Sequence, residues 1–154
     1  MPILEKQIIE VKPASFADLL GGKDLIGAPL SSGFDLITLS HKGVSKASLE
    51  ILIAHTGISK KDFIENILNL SVKTIERKES TDKLDRRTSS HILEIAKVIE
   101  HAYVVFEEVE KVKKWLITSN RALNNLKPIA LFDMPTGLQL VDQVLGRIEE
   151  GVYS

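Results

Sequence analysis

From Gly43 almost to the C-terminus, apolar residues recur every three or four positions in segments divided by short polar joints. That is the period of helices that each bury one face. SKASLEILIAHTG opens on Ser45, an N-cap residue, and stops at Gly57. In ISKKDFIENILNL, Ser59 with Asp62 three residues on predicts a capping-box-like start, and Phe63, Ile64 and Ile67 share a face. SVKTIERKE begins at Ser71, with Ile75 as its inward residue. A long segment from about Thr88 through Phe106 places Ile92, Ile95, Val98 or Ile99, and Ala102 on one stripe. EEVEKVKKWLIT, a short turn after Pro128 and a last helix ending near Glu150 complete the pattern. In that helix Leu138, Val141, Leu145 and Ile148 form an apolar stripe, Thr136 and Gln139 are spaced for a capping box, and Gly151 suits a left-handed stop. Strand-like alternation is nearly absent, so the predicted class is all-α.

Residues 1–42 break this period. Pro2, Pro13 and Pro29, with Gly21, Gly22, Gly27 and Gly33 between them, predict an extended or loosely docked arm with a short strand or helical turn around Phe34 to Leu39. The expected division is this arm, a unit over 43–106 that ends in a long connecting helix, and a C-terminal unit over 107–154 that ends in a tail.

Composition narrows the functional classes. The 154 residues are 44% hydrophobic and 27% charged, the balance of a globular chain, and the net charge of -1 leaves nucleic-acid binding to a local patch. Without cysteine there is no disulfide framework or thiolate metal site. No apolar run reaches the length of a membrane span, and MPILEKQIIE carries charges where a signal peptide is apolar, so a cytoplasmic protein with no membrane partner is expected. His41, His55, His91 and His101 are scattered, and no glycine-rich phosphate loop or activated nucleophile pattern is present. His91 and Glu94 stand one helical turn apart, but a pair with no further ligands reads as a solvated face. No catalytic residue, cofactor or metal is expected.

Two features suggest binding. The second and third segments, joined through Leu68, Asn69 and Leu70, have the spacing of a helix-turn-helix. Ser71, Lys73, Thr74, Arg77 and Lys78 would face outward toward DNA, Lys60 would add a cation from the preceding helix, and Ile75 would hold the second helix to the core. Between Ser71 and Arg87 six cations meet four anions, a net of +2, so the same spacing also fits a helical hairpin with solvated charges. The second feature is Trp115, the only tryptophan, which shares a helical face with Val109, Val112 and Leu116 and reads as packing or as recognition.

The run KKWLITSNRALNNLKPIALFDMPTGLQLVDQVLGRIEEGVYS resembles the toxin-binding domain of the Xre/MbcA/ParS antitoxins. The matching positions are Trp115, Leu116, Asn120, Leu123, Pro128, Leu131, Asp133, Gly137, Val141, Leu145, Arg147, Ile148, Gly151 and Val152. The part from Gly43 to Phe106 is similar to the family's Xre-like helix-turn-helix and connecting helix. Two positions depart from the pattern. Met134 stands where the family usually has threonine, which moves the expected helix start to Thr136, and the joint ILNLS is longer and carries asparagine in place of a frequent glycine.

The resemblance implies an Xre-like helix-turn-helix domain followed by a small helical toxin-binding domain. It also implies a RES-domain toxin partner that consumes NAD or uses it to modify a protein. The antitoxin's C-terminal region would block the toxin's active-site cleft, and a homodimer would repress its own promoter through the helix-turn-helix. Carried onto this chain, the toxin-contacting residues are Trp115, Arg147, Ile148, Gly151, Val152, Tyr153 and Ser154. The rival reading is a dimeric helix-turn-helix regulator whose C-terminal domain only self-associates.

Overall fold

The computed structural model describes residues 11–27 and 30–151. Val152, Tyr153 and Ser154, three of the expected toxin contacts, lie outside them. The described chain is helical, with two isolated bridges and no strand. Its centre is α7 (Arg86–Phe106), which begins earlier than its apolar stripe because Asp85 caps it, the carboxylate accepting from Thr88 N–H at 2.7 Å. Ile92, Ile95, Ala96, Ile99 and Ala102 of α7 are fully buried. Around it pack α1 (Phe16–Leu19), α3 (Gly33–Lys42), α8 (Val109–Leu116) and α9 (Pro135–Glu149).

The N-terminal segment differs from the expected arm. Residues 11–27 and 30–42 form α1, α2 (Lys23–Ile26) and α3, and they bury Leu19, Leu20, Ile26 and Leu39 in the common core. Gly21, Gly22 and Gly27 punctuate short helices here. The residues between them still carry enough apolar surface to dock. Side chains from elsewhere in the chain satisfy the exposed helix ends: Glu100 of α7 accepts from Phe16 N–H, and Ser48 donates to Leu20 O at 2.6 Å.

Next come α4 (Lys46–Ala54), capped by Ser45, and α5 (Lys60–Asp62), capped by Ser59. α5 continues directly into a π-helical turn over Phe63–Ile67. This wider turn brings Phe63, Ile64 and Ile67 together into the core, where Phe63 and Ile64 are fully buried. After the joint, α6 (Val72–Glu76) contributes Ile75 to the same core. Beyond α8, two short 3-10 turns, Arg121–Leu123 and Pro128–Leu131, lead into α9.

The start of α9 corrects the expectation of a helix opening at Thr136 with a Thr136–Gln139 capping box. The helix begins at Pro135, with Met134 as an extended N-cap and no side-chain cap. Proline at the first helical position loses nothing by lacking an N–H and arrives with φ already set. Gly137 follows for a packing reason, since a Cβ there would lie 1.9 Å from the Leu131 carbonyl oxygen. The preceding 3-10 turn therefore crosses this point of α9 closely enough that only glycine fits.

Candidate functional site

The C-terminal unit is built on α9, whose three stripes do different things. Leu138, Val141 and Leu145 are buried and Ile148 is half-buried against the core. On one flank Asp142 and Glu149 reach α7, where His101 Nδ1 lies 2.7 Å from Asp142 and Nε2 lies 3.1 Å from Glu149. Partial burial works against a charge on His101, but the two carboxylates outweigh it and hold its pKa above the usual 6.5.

On the opposite flank Leu140, Gln143, Val144 and Arg147 border a cleft of about 190 Å³, closed on its other side by Leu123, Leu126 and Leu131. Leu126 and Leu140 are each 45% exposed. The Arg121–Leu123 turn is held in place by Asn120, whose side chain accepts from Ala122 N–H at 2.9 Å and whose backbone N–H bonds Leu126 O at 3.0 Å.

The structure brings only some of the expected toxin contacts to the surface. Arg147 is exposed at the rim of this cleft. Trp115 is half-buried against Phe106, with ring centroids 5.4 Å apart, so packing accounts for much of its surface. Gly151 has φ +78°, closes α9 through its N–H to Ile148 O at 3.0 Å, and has open space around it. The cleft itself was not foreseen in the sequence. Its trace there is the second stripe at 140, 143, 144 and 147, which the stronger core stripe masks.

The helix-turn-helix candidate has its two short helices on either side of Leu68, Asn69 and Leu70. Asn69 takes φ +55°, a left-handed conformation that asparagine tolerates better than most residues. It thus does the work of the glycine that the resemblance leads one to expect. Ser71, Lys73, Thr74 and Arg77 are exposed and Lys78 is half-buried. Lys60, in contrast, is tied inward by ion pairs to Glu50 and to Glu76, the latter at 3.0 Å. Burial opposes its charge, but hydrogen bonds to both glutamates prevail and raise its pKa. Lys46, mostly buried, donates to Lys78 O at 2.9 Å and lies 3.8 Å from the Glu76 carboxylate. The two lysines fix the end of α6 to the preceding helices.

A larger groove of about 960 Å³ runs between α7 and the start of α9. Arg86, Arg87 and Lys97 line it together with Glu94, Asp133 and Asp142, so it carries no single sign of charge. His91 is at its edge with Nε2 2.7 Å from Phe132 O, and Glu94 is exposed. Among the described residues no group of three or more His, Asp or Glu side chains is placed to hold a metal ion. No helix among them is long and apolar enough to cross a membrane.

These features describe a small helical unit, and known proteins resemble part of it. Residues 101–151 match the antitoxin Xre/MbcA/ParS C-terminal toxin-binding domain, a stretch that opens at His101 and ends at the glycine closing α9. The C-terminal third of the chain is thus similar to the toxin-binding domain of that antitoxin family. Relatives include the Prs ADP-ribosylating antitoxin of Sphingobium sp. (strain YBL2), 27% identical over 134 residues that cover 80% of this chain and 84% of the relative. Another is the antitoxin Xre of Photorhabdus laumondii subsp. laumondii, 25% identical over 131 residues, 84% of this chain and 88% of the relative.

Proposed function

We propose that this protein is the antitoxin of a type II toxin–antitoxin system, that it neutralises a RES-domain toxin by occupying its NAD-consuming active site, and that it represses its own promoter as a homodimer. The carrying observation is the toxin-binding domain at residues 101–151. Inhibition is by occupancy, so no catalysis by this chain is required and no cofactor is involved. Arg147, Ile148 and Gly151 present the end of α9, and Val152, Tyr153 and Ser154 extend from it into the toxin's cleft, with Trp115 supporting the domain. Tyr153 would supply a stacking anchor there. The helix-turn-helix would read DNA through Ser71, Lys73, Thr74, Arg77 and Lys78, with Lys60 holding the reading helix in place through Glu76. The chain works in the cytoplasm under this reading.

Co-expression tests it. The intact protein should relieve the growth arrest caused by the RES-domain toxin encoded beside it, and a variant lacking Val152 to Ser154 should fold and self-associate normally yet fail to do so. Full neutralisation by the truncated protein would remove the tail from the mechanism. Loss of self-association instead would favour a regulator whose C-terminal domain only dimerises.

A further inference from the structure

The cleft between the Arg121–Leu126 loop and α9 has a size, a lining and a charge setting that together select an occupant. Its volume of about 190 Å³ falls below the roughly 300–1,000 Å³ of small-molecule sites, so a nucleotide does not fit and a single large side chain does. The walls are Leu123, Leu126, Leu131, Leu140 and Val144, and two of these, Leu126 and Leu140, remain 45% exposed with no covering element among the described residues. The polar groups stand at the rim, Arg147 among them.

The charge at the rim of the cleft is Arg147. Arg147 makes no ion pair among the described residues. Asp142 and Glu149 of α9 are on the other flank with His101. An apolar socket with a cation at its rim is complementary to an apolar anchor beside a carboxylate. All of the lining residues fall inside the matched toxin-binding domain, so the socket is continuous with the surface that meets the toxin.

We propose that this cleft is a second docking point for the toxin, separate from the C-terminal tail, which receives one bulky apolar side chain of the toxin with a neighbouring carboxylate that meets Arg147. The proposal rests on the toxin-neutralising reading above. The cleft would grip the outside of the toxin and set the direction in which the tail leaves Gly151. Anchor and tail then act as two linked contacts, and loss of either weakens the whole complex.

The test is calorimetric titration of the full-length protein with the RES-domain toxin encoded beside it. Leu140→Asp and Leu126→Asp should each raise Kd at least tenfold with thermal midpoints unchanged, since both side chains are already half in water. Arg147→Glu should do the same, Arg147→Lys should lose less, and binding of the unaltered protein should weaken with added salt. Phe34→Asp, on a helix that does not line the cleft, should bind normally. If the cleft variants all bind within twofold of the unaltered protein, the cleft is not a docking point and the antitoxin reading stands. If Leu140→Asp changes the oligomeric state but not toxin affinity, a second copy of this chain is the occupant and the proposal is overturned. If the unaltered protein does not bind the toxin, the antitoxin reading fails and the cleft assignment fails with it.

Discussion

His101 on α7 reaches Asp142 on α9 across 2.7 Å, and its other ring nitrogen reaches Glu149 one face-repeat further along the same helix. One imidazole therefore clips α9 to the central helix of the fold. Its folded pKa is raised, so the contribution is fully present below the unfolded value of 6.5 and is lost as pH rises through the folded one. Urea unfolding at pH 6 and pH 9 should show His101→Gln destabilising by about 1 kcal/mol at the lower pH and by clearly less at the higher. An equal effect at both would mean that the imidazole acts neutral.

His55 behaves in the opposite sense. It is buried with its Nδ1 2.7 Å from the Tyr103 hydroxyl, and burial, with a smaller push from Lys113, lowers its pKa to about 4. The same environment pushes the Tyr103 hydroxyl up to about 12, burial first and Glu110 second. Unfolding exposes a histidine that binds a proton at 6.5, so stability falls as pH drops from 6.5 toward 4. Replacing His55 with phenylalanine should flatten that acid limb. Tyr103→Phe should cost about 1 kcal/mol at pH 7 by leaving the ring nitrogen unpaired.

Gly137→Ala should be far more damaging than a surface glycine substitution. The new methyl would meet the backbone oxygen of Leu131 at 1.9 Å, and a carbonyl in a 3-10 turn cannot swing aside as a flexible side chain would. A loss of about 2 kcal/mol or more is expected from overpacking, read by thermal melting. Gly151→Ala, with open space around it but φ +78°, should cost about 1 kcal/mol.

For the DNA function proposed above, Lys73→Ala with Arg77→Ala should weaken binding to the protein's own promoter and lower the salt slope by about 2. Lys60→Met should act differently. Its charge is spent on Glu50 and Glu76, so the salt slope should stay nearly the same while melting temperature falls. A slope reduced by Lys60→Met would show that this ammonium reaches phosphate.

Much of the architecture was legible along the chain because amphipathic helices advertise themselves locally. The stripe of α7, the caps Ser45 and Ser59, the inward Ile75 and the closing Gly151 each follow from spacing that one helix turn enforces. The N-terminal segment was not legible, since helices of four residues such as α1 and α2 have too few turns to show a period, and α1 takes hydrogen bonds at both ends from the distant Glu100 and Ser48. The ion pairs of Lys60 were not legible for a related reason. Sequence marks it as a cation but is silent about the glutamates that fold against it.

By itself, then, the sequence determined the helical class, the main helices and the resemblance carried by the last forty or so residues, because those signals are periodic or contiguous. Only the tertiary structure decided how the faces of α9 are used. Asp142 and Glu149 turn toward His101, while Leu140 and Arg147 turn toward the Arg121–Leu126 loop. The cause is that a helix has one sequence but several faces, and which neighbour covers each face is set by packing between segments far apart in the chain.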